Sequence, residues 1–174
     1  MRIFLTGFMG SGKTTIGPSL ATQLGFKFID QDDLIEQHYN MSIGDVFAKF
    51  GEAKFRKTER HVLVEVVASD NLVISTGGGA PCFFNNMEFM NRYGLTVYLK
   101  AKPVTLMNRL KKLTDTRPLL KGKTEEELMQ FITDKLNERE PFYQKAILNI
   151  QTDLLNAAQI IEKIVEFSLK AVNK

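Results

Sequence analysis

The segment that most limits the fold is Gly7-Phe8-Met9-Gly10-Ser11-Gly12-Lys13-Thr14, which satisfies G-x-x-x-x-G-K-[ST] at every fixed position. It follows the apolar run Ile3-Phe4-Leu5 and opens a stretch of helical character, so the strand–loop–helix setting the motif needs is present. Glycines let successive backbone N–H groups converge on an anion without Cβ obstruction, and the helix N-terminus adds a favourable dipole. In that setting Lys13 reaches the β- and γ-phosphates of a nucleotide, and Thr14 offers its hydroxyl to Mg²⁺. Gly10, Ser11, Gly12, Lys13, Thr14 and Thr15 are therefore candidate nucleotide-binding residues. The competing reading, a glycine turn that only joins strand to helix, leaves the Lys-Thr pair and its context unexplained. Pro18 lies inside the helix, where a proline costs ~3 kcal/mol, so a bend or an irregular first turn is expected.

Five β-like segments punctuate the chain, at residues 2–6, 27–30, 72–76, 95–100 and 147–151. Ile3-Phe4-Leu5, Leu72-Val73-Ile74 and Val97-Tyr98-Leu99 are unbroken apolar runs, as strands buried on both faces of a parallel sheet require. Between them, apolar residues recur at helical spacing: Val62, Leu63, Val66 and Val67; Leu128, Phe131, Ile132 and Leu136; Ile160, Ile161, Ile164, Val165 and Leu169. Ser42 precedes an amphipathic stretch that ends at Gly51, and Thr124 with Glu127 forms a capping box. The alternation predicts an α/β fold, a three-layer α/β/α sandwich on a parallel sheet. A chain of 174 residues is long enough for one good core and short for two, so 1–174 is read as a single domain. Residues 111–123 are polar with little periodicity and are the candidate excursion from the core.

Asp30-Gln31-Asp32-Asp33 falls at the carboxyl end of the second strand, where open α/β sheets place their ligands. If the segment stays extended, Asp30 and Asp32 point the same way. One carboxylate beside a triphosphate could then serve Mg²⁺ and the other accept from a substrate hydroxyl. An N-cap cluster is the alternative, with Asp33 its best candidate. Gly77-Gly78-Gly79 ends the third strand and allows a ligand close to main chain. Arg56, Arg109, Arg117 and Arg139 fall near strand ends or turns. A guanidinium grips carboxylate or phosphate through paired hydrogen bonds, although a lone arginine is ordinarily a solvated surface charge.

Together these segments resemble the shikimate kinase family over essentially the whole chain. Gly7 to Thr15 looks like its phosphate loop, and Phe28-Ile29-Asp30-Gln31-Asp32 like its D-x-D segment. Phe55-Arg56-Lys57-Thr58-Glu59 resembles its F-R-x-x-E motif. The glycine triplet, Thr116-Arg117-Pro118-Leu119-Leu120 and Arg139-Glu140-Pro141-Phe142-Tyr143 follow in the family's order. The resemblance implies the P-loop nucleoside-monophosphate-kinase-like fold, a five-stranded sheet of order 2-3-1-4-5. It also implies transfer of the ATP γ-phosphoryl group to the 3-hydroxyl of shikimate, with Mg²⁺. Asp32 would bind the shikimate hydroxyls and act as the base or orienting group for the 3-hydroxyl. Arg56 and Arg139 would grip the carboxylate, with Gly78 and Gly79 offering main-chain contacts and Phe47 and Phe55 packing on the ring. Asp30 and Thr14 would serve the metal, Lys13 and Arg117 neutralise the transferring phosphate, and Arg109 lie against adenine. The substrate-binding segment would span about residues 33–62, and 111–123 would be a lid. Two departures stand out: Glu140 where the family pattern has Asn, and the aromatic sequence Ala80-Pro81-Cys82-Phe83-Phe84 after the glycines.

Other features argue mainly by exclusion. The net charge of +3 is scattered, without the clustered basic face of a nucleic-acid binder. No secretory leader or apolar run of spanning length is evident, and the one cysteine, Cys82, forbids an intrachain disulfide. The expectation is a cytoplasmic monomer acting on small molecules, with no membrane and no nucleic acid. His38 and His61 lack partners at catalytic spacing and read as surface or packing residues, and Cys82 as a small buried side chain. Glu59 could orient Arg56 or be a plain helical charge. Gluconate kinase shares the phosphate loop and lid and is the nearest rival, but lacks the combination of F-R-x-x-E with the glycine triplet. A nucleoside monophosphate kinase would need a second base pocket, which no segment supplies.

Overall fold

The computed structural model describes residues 1–111 and 122–172; Arg117 and most of the 111–123 excursion lie outside the described residues. Strands β1 (Arg2–Thr6), β2 (Lys27–Asp30), β3 (Leu72–Ser75), β4 (Leu95–Lys100) and β5 (Leu148–Gln151) form one parallel sheet in the order β2-β3-β1-β4-β5. That is the expected order, and β3 and β5 each differ from the sequence reading by a single terminal residue. The central strands are buried along nearly their whole length, which is why their sequences are unbroken apolar runs rather than alternating ones.

Alternation still decides which face each side chain meets. Ile3, Leu5, Val73, Val97 and Leu99 point to one side, against α1 (Lys13–Leu24) and α7 (Ala157–Val172). Phe4, Ile74 and Tyr98 point to the other, against α2 (Gln31–Tyr39), α3 (Ile43–Val66), α4 (Asn86–Tyr93), α5 (Pro103–Leu110) and α6 (Glu125–Tyr143). Three layers follow. The Thr124 capping box is formed, with Glu127 N–H donating to Thr124 Oγ1 at 3.2 Å and Thr124 N–H to Glu127 Oε2 at 2.8 Å. Ser42 Oγ caps α3 by accepting from Asp45 N–H at 3.1 Å. Gly51, at φ 74°, interrupts α3 where the amphipathic stretch was expected to end, and helix resumes beyond it.

No irregular first turn accompanies Pro18: α1 is helical from Lys13 through Leu24. Pro18 and Thr14 are both exposed, so water can take the carbonyl that the proline ring leaves without an N–H donor. One residue earlier the helix is far less tolerant. A Cβ at Gly17 would sit 2.2 Å from Cε2 of Phe28, so the helix lies flat on β2 only because that side chain is missing. Gly17→Ala should therefore destabilise the protein by about 1–3 kcal/mol through overpacking, despite the helix propensity alanine gains. Urea denaturation would show it, and Gly17→Ala with Phe28→Leu should recover most of the loss. An unchanged midpoint for the single variant would contradict the contact.

Candidate active site

Strand register brings the motifs together. Ser75 of β3 lies beside both Leu5 of β1 and Asp30 of β2. Two residues further along each chain stand Gly7, Asp32 and Gly77, so the phosphate loop, the aspartates and the glycine triplet emerge at one edge of the sheet. They line a cleft of about 450 Å³ that contains Gly10 through Thr15, Asp30, Asp32, Gly78 and Arg109.

At the phosphate end, Lys13 is buried and its ammonium donates to the carbonyls of Gly7 at 2.9 Å and Phe8 at 3.1 Å, inside the curve of the loop. Ser11 Oγ is the one buried side-chain polar atom among the described residues with no hydrogen-bond partner. Buried hydroxyls are normally satisfied, and a phosphate oxygen would satisfy this one. Thr14 Oγ1 donates to Asp30 Oδ2 at 3.2 Å. This hard-oxygen pair beside the loop fits a divalent ion held by one or two protein oxygens, water and substrate phosphates. Among the described residues no His/Cys/Asp/Glu cluster forms an all-protein metal cage. Arg109 donates to the Gly10 carbonyl at 3.1 Å and walls the cleft.

The opposite wall was not read from the sequence. Thr152, Leu155 and Ala157, around a short 3₁₀ turn (Thr152–Leu154), line the same cleft. Asp153 secures the turn: its carboxylate accepts from Lys102 N–H at 3.1 Å and Thr105 Oγ1 at 2.5 Å, capping α5 from a distance. Burial would raise the Asp153 pKa, but these hydrogen bonds outweigh it and hold the group below its ordinary value. An aspartate in a polar loop carries no such signal locally, because the two partners that tie it to α5 are some fifty residues away.

At the other end, the aspartates are arranged differently from the extended reading. The chain turns helical at Gln31, so Asp30 is the N-cap of α2, accepting from Asp32 N–H at 3.0 Å, and Asp32 lies in the first turn. The cap is Asp30, not Asp33, while both Asp30 and Asp32 still line the cleft. Gln31, between them, is fully buried. Its amide donates to the Glu59 carbonyl at 2.8 Å and accepts from Gly77 N–H at 2.9 Å, joining α3 to the triplet. Nothing in the sequence separates such a glutamine from a surface one.

Arg56 is buried, with Nη1 donating to Glu59 at 2.7 Å and Nε and Nη2 donating to Glu52 at 3.2 and 3.0 Å. Its Nη1–Nη2 edge lies against Gly79: a Cβ there would be 2.7 and 2.9 Å from the two nitrogens. Arg139 Nη1 approaches Gly78, 3.5 Å from where a Cβ would stand. Asp32 and Glu59 both crowd Gly77. Phe47 and Phe55 stack at 4.2 Å beside Arg56. All the expected acceptor-side residues thus meet around the triplet. Glu140 faces away from this group, toward β4, accepting from Tyr98 at 2.5 Å and Lys100 at 2.6 Å. Burial pushes the Cys82 thiol up to about 11, so it is no thiolate at neutral pH. His61 makes an exposed contact with Glu65, and His38 packs edge-on against Tyr39.

Fold and site together define a P-loop phosphotransferase. The shikimate kinase family model matches residues 9–168. A shikimate kinase of Bacteroides fragilis is 47% identical over 173 residues, covering 99% of this chain and 97% of that one. The crystal structure of the Bacteroides thetaiotaomicron shikimate kinase superposes with a TM-score of 0.91 at 46% identity, over 96% of this chain and 97% of that one. That of the Acinetobacter baumannii enzyme in complex with shikimate gives 0.87 at 36% identity, over 99% and 95%. The chain belongs to the shikimate kinase family, ATP-dependent phosphotransferases acting on an alcohol.

Glu59 has a consequence for stability. Burial pushes its carboxyl up to about 7 against the pull of Arg56. On Arg56, burial opposes the charge and Glu59 and Glu52 more than offset it, so the arginine stays charged while the glutamate holds its proton unusually long. Between the ordinary value of 4.5 and about 7 the folded chain binds more protons than the unfolded chain, so this group's contribution makes stability fall as pH rises. Below that window it contributes nothing, and above it the cost is complete. Melting temperatures of the wild type and Glu59→Gln should diverge across the window, with the wild type losing ground as pH rises. Parallel curves would contradict the raised value.

Proposed function

We propose that the chain transfers the γ-phosphoryl group of ATP to the 3-hydroxyl of shikimate, giving shikimate 3-phosphate and ADP. The observation that carries this reading is the convergence of Arg56, Arg139 and Asp32 on one glycine triplet that faces the phosphate loop. An acceptor with one carboxylate and several hydroxyls needs a forked cation at one end and an oxygen acceptor at the other. Arg56 and Arg139 hold the carboxylate, Gly78 and Gly79 let the ring approach main chain, and Phe47 and Phe55 pack against it. Asp32 accepts from the 3-hydroxyl and takes its proton as that oxygen attacks the γ-phosphorus. The new O–P bond forms as the bond from the γ-phosphorus to the β–γ bridging oxygen breaks, and ADP leaves with that electron pair.

The developing charge is met by Lys13 and the loop N–H groups, and Arg117 is assigned to the same task. The adenine lies against Arg109. Mg²⁺ would be held through Thr14 and Asp30, where it would supply positive charge that offsets part of the charge of the phosphates. Residues 33–62 form the substrate-binding segment, and 111–123 act as a lid that excludes water from the transfer. Every assigned residue comes from one chain, so a monomer suffices. No helix among the described residues is long and apolar enough to cross a membrane.

ADP release from Mg-ATP, with shikimate, gluconate and AMP offered separately, tests the substrate: release is expected with shikimate alone, and release only with another acceptor would overturn it. Asp32→Asn should lower kcat by about 100-fold or more while ATP still binds; near-normal kcat would remove its role. Arg139→Lys should raise the KM for shikimate about tenfold with little change in kcat, because lysine cannot reproduce the fork. An unchanged KM would argue against its contact with the carboxylate.

A further inference from the structure

The segment after the glycine triplet, Ala80-Pro81-Cys82-Phe83-Phe84, plays no part in the chemistry so far, yet the chain holds it in a costly shape. A 3₁₀ turn (Ala80–Cys82) is followed by Phe84 and Asn85 at φ 50° and 55°, a left-handed conformation that a phenylalanine rarely adopts. The turn is pinned from several sides. Cys82 N–H donates to the Gly79 carbonyl at 2.9 Å, Asn86 N–H to the Phe83 carbonyl at 2.8 Å, and the Asn86 side chain to the Ala80 carbonyl at 2.8 Å. Arg60 in turn holds Asn86 Oδ1 at 3.1 Å. The outcome of this bracing is the position of one ring: Phe83, whose centroid lies 4.4 Å from Cζ of Arg56.

Phe83 completes an aromatic housing. Phe55 and Phe47 stand 5.2 and 5.7 Å from the same guanidinium carbon, so Phe83 is the nearest of three rings around it. Glu52 and Glu59 take Nε and one N–H each of Nη2 and Nη1, three of the five donors. One N–H on each of Nη1 and Nη2 remains, and both nitrogens lie close to Gly79. Arg56 is only 8% exposed, while Phe83 is 36% exposed, the most exposed of the three rings.

We propose that Phe83 is a positioning residue for the acceptor: it caps the Arg56 guanidinium, fixes its plane and keeps water from it, so that the Nη1–Nη2 edge meets the substrate carboxylate in one orientation. This rests on the reading of shikimate as acceptor. A ring over a cation favours the charge electrostatically, and an aliphatic side chain of similar bulk does not. The cap also holds the fork still, which reduces the ordering cost of binding.

The test begins with wild-type turnover of shikimate; its absence would remove the substrate assignment rather than the cap. Given turnover, Phe83→Leu should raise the KM for shikimate by about 2- to 30-fold, with kcat and the KM for ATP within about twofold. Phe83→Tyr should restore the wild-type KM. The penalty should vanish with an analogue carrying an uncharged carboxamide in place of the carboxylate. A wild-type KM in Phe83→Leu would overturn the cap. So would an equal penalty on the carboxamide, or a parallel rise in the KM for ATP, either of which marks a merely structural role. If Phe83→Leu is too unstable to assay, Phe83→Trp decides. The sequence contains no tryptophan, so the introduced indole is the sole such reporter. Its emission should change saturably with shikimate, and less with the carboxamide. A signal indifferent to shikimate would overturn the proposal.

Discussion

The arrangement of the site depends on the parallel register of β1, β3 and β2. With Leu5, Ser75 and Asp30 level across the sheet, all three chains have left their strands two residues further on, at Gly7, Gly77 and Asp32. The phosphate loop, the triplet and Asp32 are placed by that single constraint. A shift of β2 by one residue would turn Asp30 and its neighbours to the opposite face and break the hydrogen bonds through which Gln31 joins α3 to Gly77. The apolar runs that make the strands suitable for a two-sided core therefore also set the position of the chemistry.

Around that edge, charge is managed by pairing. Arg56 is tolerated in the interior because Glu59 and Glu52 accept its hydrogen bonds, and Arg56 in turn offsets part of the burial cost that raises the Glu59 pKa. Removing either partner would leave an uncompensated buried group, a costly state. Glu140, the departure from the family pattern, is absorbed the same way by Lys100 and Tyr98. Burial opposes its charge, yet the hydrogen bonds from Lys100, Tyr98 and Gln144 hold its pKa below the ordinary value. It therefore faces β4.

Much of this was legible in the sequence, for physical reasons. Buried strands must be apolar throughout, a phosphate loop must have its glycines, and a capping box pairs residues three apart; each is a local rule. What stayed hidden was long-range or concerned two readings of one residue. Asp30 proved to be both N-cap and cleft residue, where the sequence offered these as alternatives. Gln31, Asp153 and Gly17 act on partners far along the chain, and their own types are common on surfaces. Pro18 does not interrupt α1, because its cost falls on a carbonyl that solvent can reach.

The central claim is that one sheet edge holds the acceptor by its carboxylate on Arg56 and Arg139 and presents its hydroxyl to Asp32, facing the phosphate loop. A crystal structure with shikimate, Mg²⁺ and a non-hydrolysable ATP analogue tests it most directly. We expect the carboxylate between the two guanidinium groups and the 3-hydroxyl within hydrogen-bond reach of Asp32, in line with the γ-phosphate. A ring bound with its carboxylate on the phosphate loop, or with no hydroxyl near Asp32, would contradict it.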